Sequence, residues 1–89
     1  MDRNIYYYTF NTRCGTIKIV PQPEGRCAVI YDGENLGSYA SRIAAADDVS
    51  GGHTFSPSNG VEFDELDVPA DIGEWERKLF ARVGRLRPA

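Results

Sequence analysis

His53, the single histidine, follows Asp47, Asp48 and Ser50 and precedes Ser56 and Ser58. A histidine with a carboxylate on one side and a hydroxyl on the other is the chemistry of a general base activating a nucleophile. None of these serines stands in a G-x-S-x-G elbow, the strand–turn–helix setting that presents such a nucleophile. His53 reads instead as a residue just past a helix C-terminus, complementing the dipole or closing the following loop by hydrogen bonds. Cys14, Cys27 and His53 are metal-ligating types, but structural zinc sites pair their ligands at short spacing, as in C-x-x-C, and no such pair is present. Gly51-Gly52 follows a helix and adjoins Asp47 and Asp48, whereas phosphates bind at helix N-termini. Asp64-Glu65-Leu66-Asp67 lacks the alternation and the glycine of a calcium loop. No catalytic, metal-binding or cofactor-binding residue is assigned, and the chain is read as a non-enzyme without a cofactor.

What remains is aromatic and basic. Tyr6, Tyr7 and Tyr8 are consecutive, and Lys18 and Arg26 fall on neighbouring strands; aromatic side chains on a sheet stack bases while basic neighbours hold phosphates. The formal net charge of −3 argues against a general nucleic-acid partner. Charge is also polarised along the chain. Seven acids and no base lie between Glu62 and Glu76, and then five of the ten Lys and Arg (Arg77, Lys78, Arg82, Arg85 and Arg87) follow with no acid among them. The expected interaction surface is therefore Tyr7, Lys18, Arg26 and Ile30 on a sheet face, with Arg77, Lys78, Arg82 and Arg85 at the C-terminal end. Its expected occupant is a protein partner or a second copy of the chain. Nucleic acid is the alternative.

These residues need a scaffold. Ile5 to Phe10 is rich in aromatic and β-branched residues and reads as a strand, with Tyr6, Tyr8 and Phe10 on one face and Ile5, Tyr7 and Thr9 on the other. Residues 16–20 form the second strand and 26–32 the third. Asp32-Gly33 is a hairpin signal, and it returns the chain as a short fourth strand over 35–39, weakened by Gly37. Short connections make these strands an antiparallel meander. Ser41 reads as the N-cap of a helix over about 42–50, with Ile43, Ala45, Ala46 and Val49 as its apolar stripe and Gly51 as its left-handed stop.

Residues 53–60 are a loop by composition, and Val61 to Val68 is an edge strand or an extended segment. Ile72, Trp75, Leu79 and Val83 recur at spacings of three, four and four, which predicts a second helix over about 71–83. Asp71 and Glu74 near its start and Arg77, Lys78 and Arg82 near its end complement its dipole. A frayed tail follows from about residue 85. The first helix is expected on the sheet face of Tyr6, Tyr8, Ile17, Ile19, Cys27, Val29 and Tyr31. The opposite face is expected either to be crossed by the Trp75 helix or to meet a partner.

Eighty-nine residues bury only about 60–65% of the chain's surface and fit one small α+β domain. No apolar run approaches the ~18 residues that cross a bilayer. The start MDRNIYYY has no apolar signal core, so a cytoplasmic location is expected. A hairpin centred near Pro23 would set Cys14 opposite Asp32 and Cys27 opposite Ile19, roughly 17 Å apart along the strand. A disulfide needs Cα atoms within about 7 Å, so two reduced, buried thiols are expected.

The run LGSYASRIAAADDVSGGHTFSPSNG, within a likeness covering roughly 15–75, resembles a family of small uncharacterised bacterial proteins. That resemblance implies a bacterial, stand-alone domain and no particular activity. Three strands followed by an alanine-rich helix, with Leu36, Gly37, Ser38, Tyr39, Ala44 and Ala45, are also loosely similar to the ethylene-responsive-factor and integrase type of DNA-binding domain. This second likeness implies a sheet that enters the major groove, with Arg13, Lys18 and Arg26 as its candidates. Cys27 stands where that pattern has an aromatic residue, and the strands carry no Trp.

Overall fold

The computed structural model describes residues 3–83. Five strands form one antiparallel sheet with a single α-helix, an α+β fold. The strands are β1 (Arg3–Thr12), β2 (Gly15–Pro21), β3 (Cys27–Tyr31), β4 (Glu34–Tyr39) and β5 (Glu76–Val83), and α1 spans Arg42–Gly51. Spatial order is β4-β3-β2-β1-β5. The first four strands are the expected meander. The fifth returns, after the helix and a long connection, to pair with the free edge of β1.

That fifth strand corrects the predicted C-terminal helix over 71–83. Asp71 does cap a helical turn, its carboxylate accepting from the Gly73 amide at 2.8 Å, but the turn is 3-10 and ends after Ile72–Glu74. Trp75 is extended (φ −88°, ψ 152°) and leads into β5. Helical spacing of apolar residues was a real regularity without a helix behind it. Leu79, which the stripe places beside Trp75, is 47% exposed, whereas Trp75 is 5% exposed. The competing demand came from β1: its aromatic, ten-residue length would otherwise present an unpaired edge, and such an edge invites pairing. Arg85 and the tail from 85 lie outside the described residues.

All cover lies on one face. Ile17, Ile19, Val29, Tyr31 and Leu36 from the sheet meet Ala45, Ala46 and Val49 of α1, and Phe63, Leu66, Val68 and Trp75 of the connection complete the same cluster. The segment 61–68 is an irregular chain with a 3-10 turn over Phe63–Glu65, not a strand. The small helix residues let α1 approach the sheet closely, while Ile43 points away and is 63% exposed. Ser41 caps α1 by accepting from the Ala44 amide, but the left-handed stop is Gly52 (φ 73°) rather than Gly51, which closes the helix itself.

Tyr31 ties the turns to this core: its hydroxyl donates to the Cys14 carbonyl at 2.7 Å and accepts from Asn59 Nδ2 at 3.0 Å, and its ring meets Phe63 edge-on at 5.2 Å. In β4, two residues oppose Val29, a bulge that Gly37 permits (φ 149°) and that turns Leu36 inward. The 53–60 loop lies along β4, with the Phe55 amide donating to the Leu36 carbonyl at 3.1 Å and Ser58 donating through both its amide and its hydroxyl to the Glu34 carboxylate. Those bonds hold the Glu34 carboxyl below its ordinary range.

The β2–β3 register places Cys27 opposite Pro21, two positions from the expected Ile19, and sets Cys14 in the β1–β2 turn. Both cysteines are free; Cys27 is half-buried, but Cys14 is exposed rather than buried.

Trp75→Ala removes a buried indole whose Nε1 donates to the Pro69 carbonyl at 2.9 Å and whose ring packs 5.8 Å from Phe10. It should cost about 3–5 kcal/mol in urea unfolding. Leu79→Ala, on the exposed edge strand, should cost under about 1 kcal/mol. Equal losses would restore the amphipathic helix.

Candidate functional site

Strand alternation gives the sheet a second face opposite α1. Across it run Glu76, Thr9, Lys18, Ile30 and Asn35 as one row of cross-strand partners. Tyr7 stands beside Lys78, and Val20, Ala28 and Ser38 continue across β2, β3 and β4. Among the described residues no helix or loop contributes a second core here, since the helix and connection residues of the buried cluster all belong to the other face. Thr9 and Ala28 are buried on this face as small side chains between longer strand neighbours.

β5 adds the most exposed apolar part. A register shift opposite Ile5 and Tyr6 leaves Phe80 without its own partner; it is 52% exposed, and its ring meets Tyr7 edge-on at 6.1 Å. The two sheet edges also differ. The 53–60 loop touches β4, whereas β5 is the outer strand beyond β1. The patch is thus Tyr7, Phe80, Val20 and Ile30, flanked by the cations Lys18 and Lys78 and one acid, Glu76.

The eight expected interaction residues divide. Tyr7, Lys18, Ile30 and Lys78 come together on the open face. Arg77 turns to the α1 side, where its guanidinium lies 4.3 Å from the centroid of the Tyr6 ring. Arg26 joins the open face at its β2–β3 end, beside Ser38 rather than beside Tyr7, donating through Nε to Ser38 Oγ at 3.0 Å and through Nη2 to the Ser38 carbonyl at 3.2 Å. Arg82 is placed only by its backbone, opposite Asn4 in β5, and Arg85 lies outside the described residues. Phe80, missed in the sequence, follows from the strand that replaces the predicted helix. Read as a helix, 71–83 gave it no face of its own.

The histidine constellation does not assemble. His53 is exposed, and its amide donates to the Asp48 carbonyl at 2.9 Å, while the Asp48 carboxylate acts on the Tyr39 phenol. Burial, reinforced by that carboxylate, pushes the Tyr39 phenol up to about 12. Burial also raises the Cys27 thiol, an effect that Arg42 opposes. Among the described residues no three His, Cys, Asp or Glu side chains are grouped to hold a metal ion. No helix there is long and apolar enough to cross a membrane.

Comparison of the chain with protein-family models, with curated proteins and with solved structures finds no match.

A raised phenol stabilises the fold while it stays protonated. The Tyr39 contribution is whole below its ordinary 10.0 and drains away as pH climbs through about 12. Ring-proton NMR should show Tyr39 titrating near that upper value. Asp48→Asn should lower it only part of the way, because burial is the larger cause. A Tyr39 midpoint at its ordinary value would contradict the packing described.

Proposed function

We propose that this chain is a non-enzymatic protein-interaction module that works through the open sheet face and its β5 edge. The observation that carries the reading is the exposed Phe80 standing against Tyr7 on a sheet face that no second layer covers among the described residues. Exposed aromatic residues grouped with a few charges are the composition of interface centres. An outer strand accepts an added strand from a partner, whose backbone supplies the hydrogen bonds and whose alternate side chains supply the choice. Lys18 and Lys78 favour an extended partner segment that mixes apolar and acidic residues. Face-to-face stacking of a second copy brings these same cations towards each other, which ranks self-association behind a partner of another kind.

Weak nucleic-acid binding is a second reading of the same face, resting on Lys18 and Lys78 around Tyr7. The other candidates stand apart: Arg13 donates to the Glu65 carbonyl at 3.3 Å, Arg77 lies over Tyr6 on the α1 side, and Arg26 is tied to Ser38 at the far end of the face. A sugar–phosphate backbone would find no single basic track. The integrase-type resemblance adds only its sheet-first mode of docking to this reading.

The test compares the wild-type chain with a Tyr7→Ser, Phe80→Ser double variant, using Ile43→Ser as a control on another surface. Affinity capture from the host, with bound proteins identified, and sedimentation equilibrium are the readouts. One protein should be retained by the wild type and the control and weakened about tenfold or more by the double variant. A dimer broken by the double variant would identify the second copy as occupant. A monomer that captures nothing, or a partner held equally by the double variant, would refute the reading. Binding to an oligonucleotide that falls steeply with salt would transfer the face to the second reading.

A further inference from the structure

β5 is the outermost strand of the sheet, so one side of its backbone has no strand beside it among the described residues. Which of its groups face outward follows from the β1–β2 hairpin. Thr12 and Gly15 close a two-residue turn at Arg13 and Cys14, and the closing pair of such a turn exchanges both of its backbone hydrogen bonds. Alternation along β1 then turns the N–H and C=O groups of Phe10, Tyr8 and Tyr6 towards the β2 side, and those of Thr9 and Tyr7 towards β5. In β5, Glu76 and Lys78 pair with Thr9 and Tyr7, which leaves the backbone groups of Arg77 and Leu79 pointing outward. They offer two donors and two acceptors on a regular edge, ahead of the register shift at Phe80.

We propose that a segment of another protein adds to this edge as an antiparallel strand, through two apolar residues followed directly by two acidic ones. The assignment rests on the reading of the open face and its β5 edge as an interaction surface, and it names the sequence that surface takes. An antiparallel neighbour exchanges straight bonds with Arg77 and Leu79 and is slightly more stable per residue than a parallel one.

The side chains of the edge set the order. Residues directly opposite in an antiparallel pair share a face, with Cβ atoms about 4.5–5.5 Å apart. Leu79 on the α1 side and Phe80 on the open face are about half exposed, and both suit apolar residues opposite. Arg77 and Lys78, also exposed and on the same two faces, suit carboxylates, since like charges opposite one another repel. Strand direction reverses across the pair, so the added segment reads apolar, apolar, acid, acid. A base next in the segment would meet Glu76. A strictly alternating apolar–acid segment fits badly, because it sets a charge against Leu79 or Phe80 and an apolar residue against a cation.

The arginine is held for this contact. Its guanidinium lies over the Tyr6 ring at 4.3 Å, and stacking occupies the flat face of a guanidinium while its in-plane N–H groups remain for a carboxylate. A second copy does not satisfy the pattern through its own β5. That strand, Glu76–Val83, holds one acid, Glu76, and cannot set carboxylates opposite both Arg77 and Lys78.

The experiment titrates two capped peptides of equal composition into the full chain, Thr-Val-Val-Glu-Glu-Lys-Thr and the alternating Thr-Val-Glu-Val-Glu-Lys-Thr, and follows backbone amide shifts and hydrogen exchange by NMR. The first peptide should bind saturably with Kd below about 1 mM, about tenfold or more tightly than the second, and should slow exchange of the Arg77 and Leu79 amides. Leu79→Pro removes an outward N–H without removing a bond to β1, a place where an edge strand tolerates proline. It should weaken binding about tenfold or more, and Leu79→Ala, which keeps the donor, should weaken it less. Trp75 fluorescence checks that both variants keep the core, and the exchange measurement on the unsubstituted chain needs no variant. Absence of saturable binding, equal affinity for the two peptides, or binding that shifts Tyr7 and Phe80 without protecting Arg77 and Leu79 would overturn the added strand. A host protein captured through Tyr7 and Phe80 but held equally by Leu79→Pro would overturn it too, while leaving the interaction surface in place. Capture of nothing from the host would count against the surface itself.

Discussion

A five-stranded sheet has two faces, and the described chain has one layer with which to cover them. The ten residues of α1 and the connection from 52 to 75 are anchored to one face by Ala45, Ala46, Val49, Phe63, Leu66, Val68 and Trp75. Burying these side chains together is the main favourable term available to so small a domain, since stabilisation grows with the apolar area removed from water. Dividing the layer between two faces would leave two thin cores in place of one dense one. Concentrating it leaves, among the described residues, an uncovered face behind the sheet.

β5 completes that face. By pairing with β1 it turns an aromatic strand from an edge into an interior strand and presents the charged sequence Glu76-Arg77-Lys78 at the new edge. Charges on an outer strand discourage indiscriminate pairing. The same alternation sends Arg77 towards Tyr6 on the α1 side, and Lys78 towards Tyr7 and the open face. The register shift then releases Phe80 onto that face. One strand in one register thus places both the exposed aromatic of the interaction surface and one of its cations, Lys78.

Local chemistry made the meander and α1 legible in the amino-acid order. Alternation marked the strands, Asp32-Gly33 marked the hairpin, and Ser41 marked the helix start. The expected α1 face of the sheet was also readable, because Tyr8, Ile17, Ile19, Val29 and Tyr31 share one period. The C-terminal segment was not, because its state depends on a partner strand some seventy positions earlier in the sequence. Apolar residues at 72, 75, 79 and 83 match a helix, and only the need of β1 for a neighbour selects the strand; tertiary pairing overrides local preference in such segments. Phe80 was hidden for the same reason. The meander alone puts Tyr7, Lys18 and Ile30 on one face, and Lys78 joins them only through β5.

The pairing of β5 with β1 is therefore the claim to test most directly, by cross-strand proton NOEs in the full chain. Contacts that place Tyr8 beside Arg77 and Tyr6 beside Leu79, with slowly exchanging amides along β1, are the predicted result. Medium-range helical contacts from Trp75 to Lys78 and from Leu79 to Arg82, with fast exchange along β1, would contradict it. They would remove the open face as described.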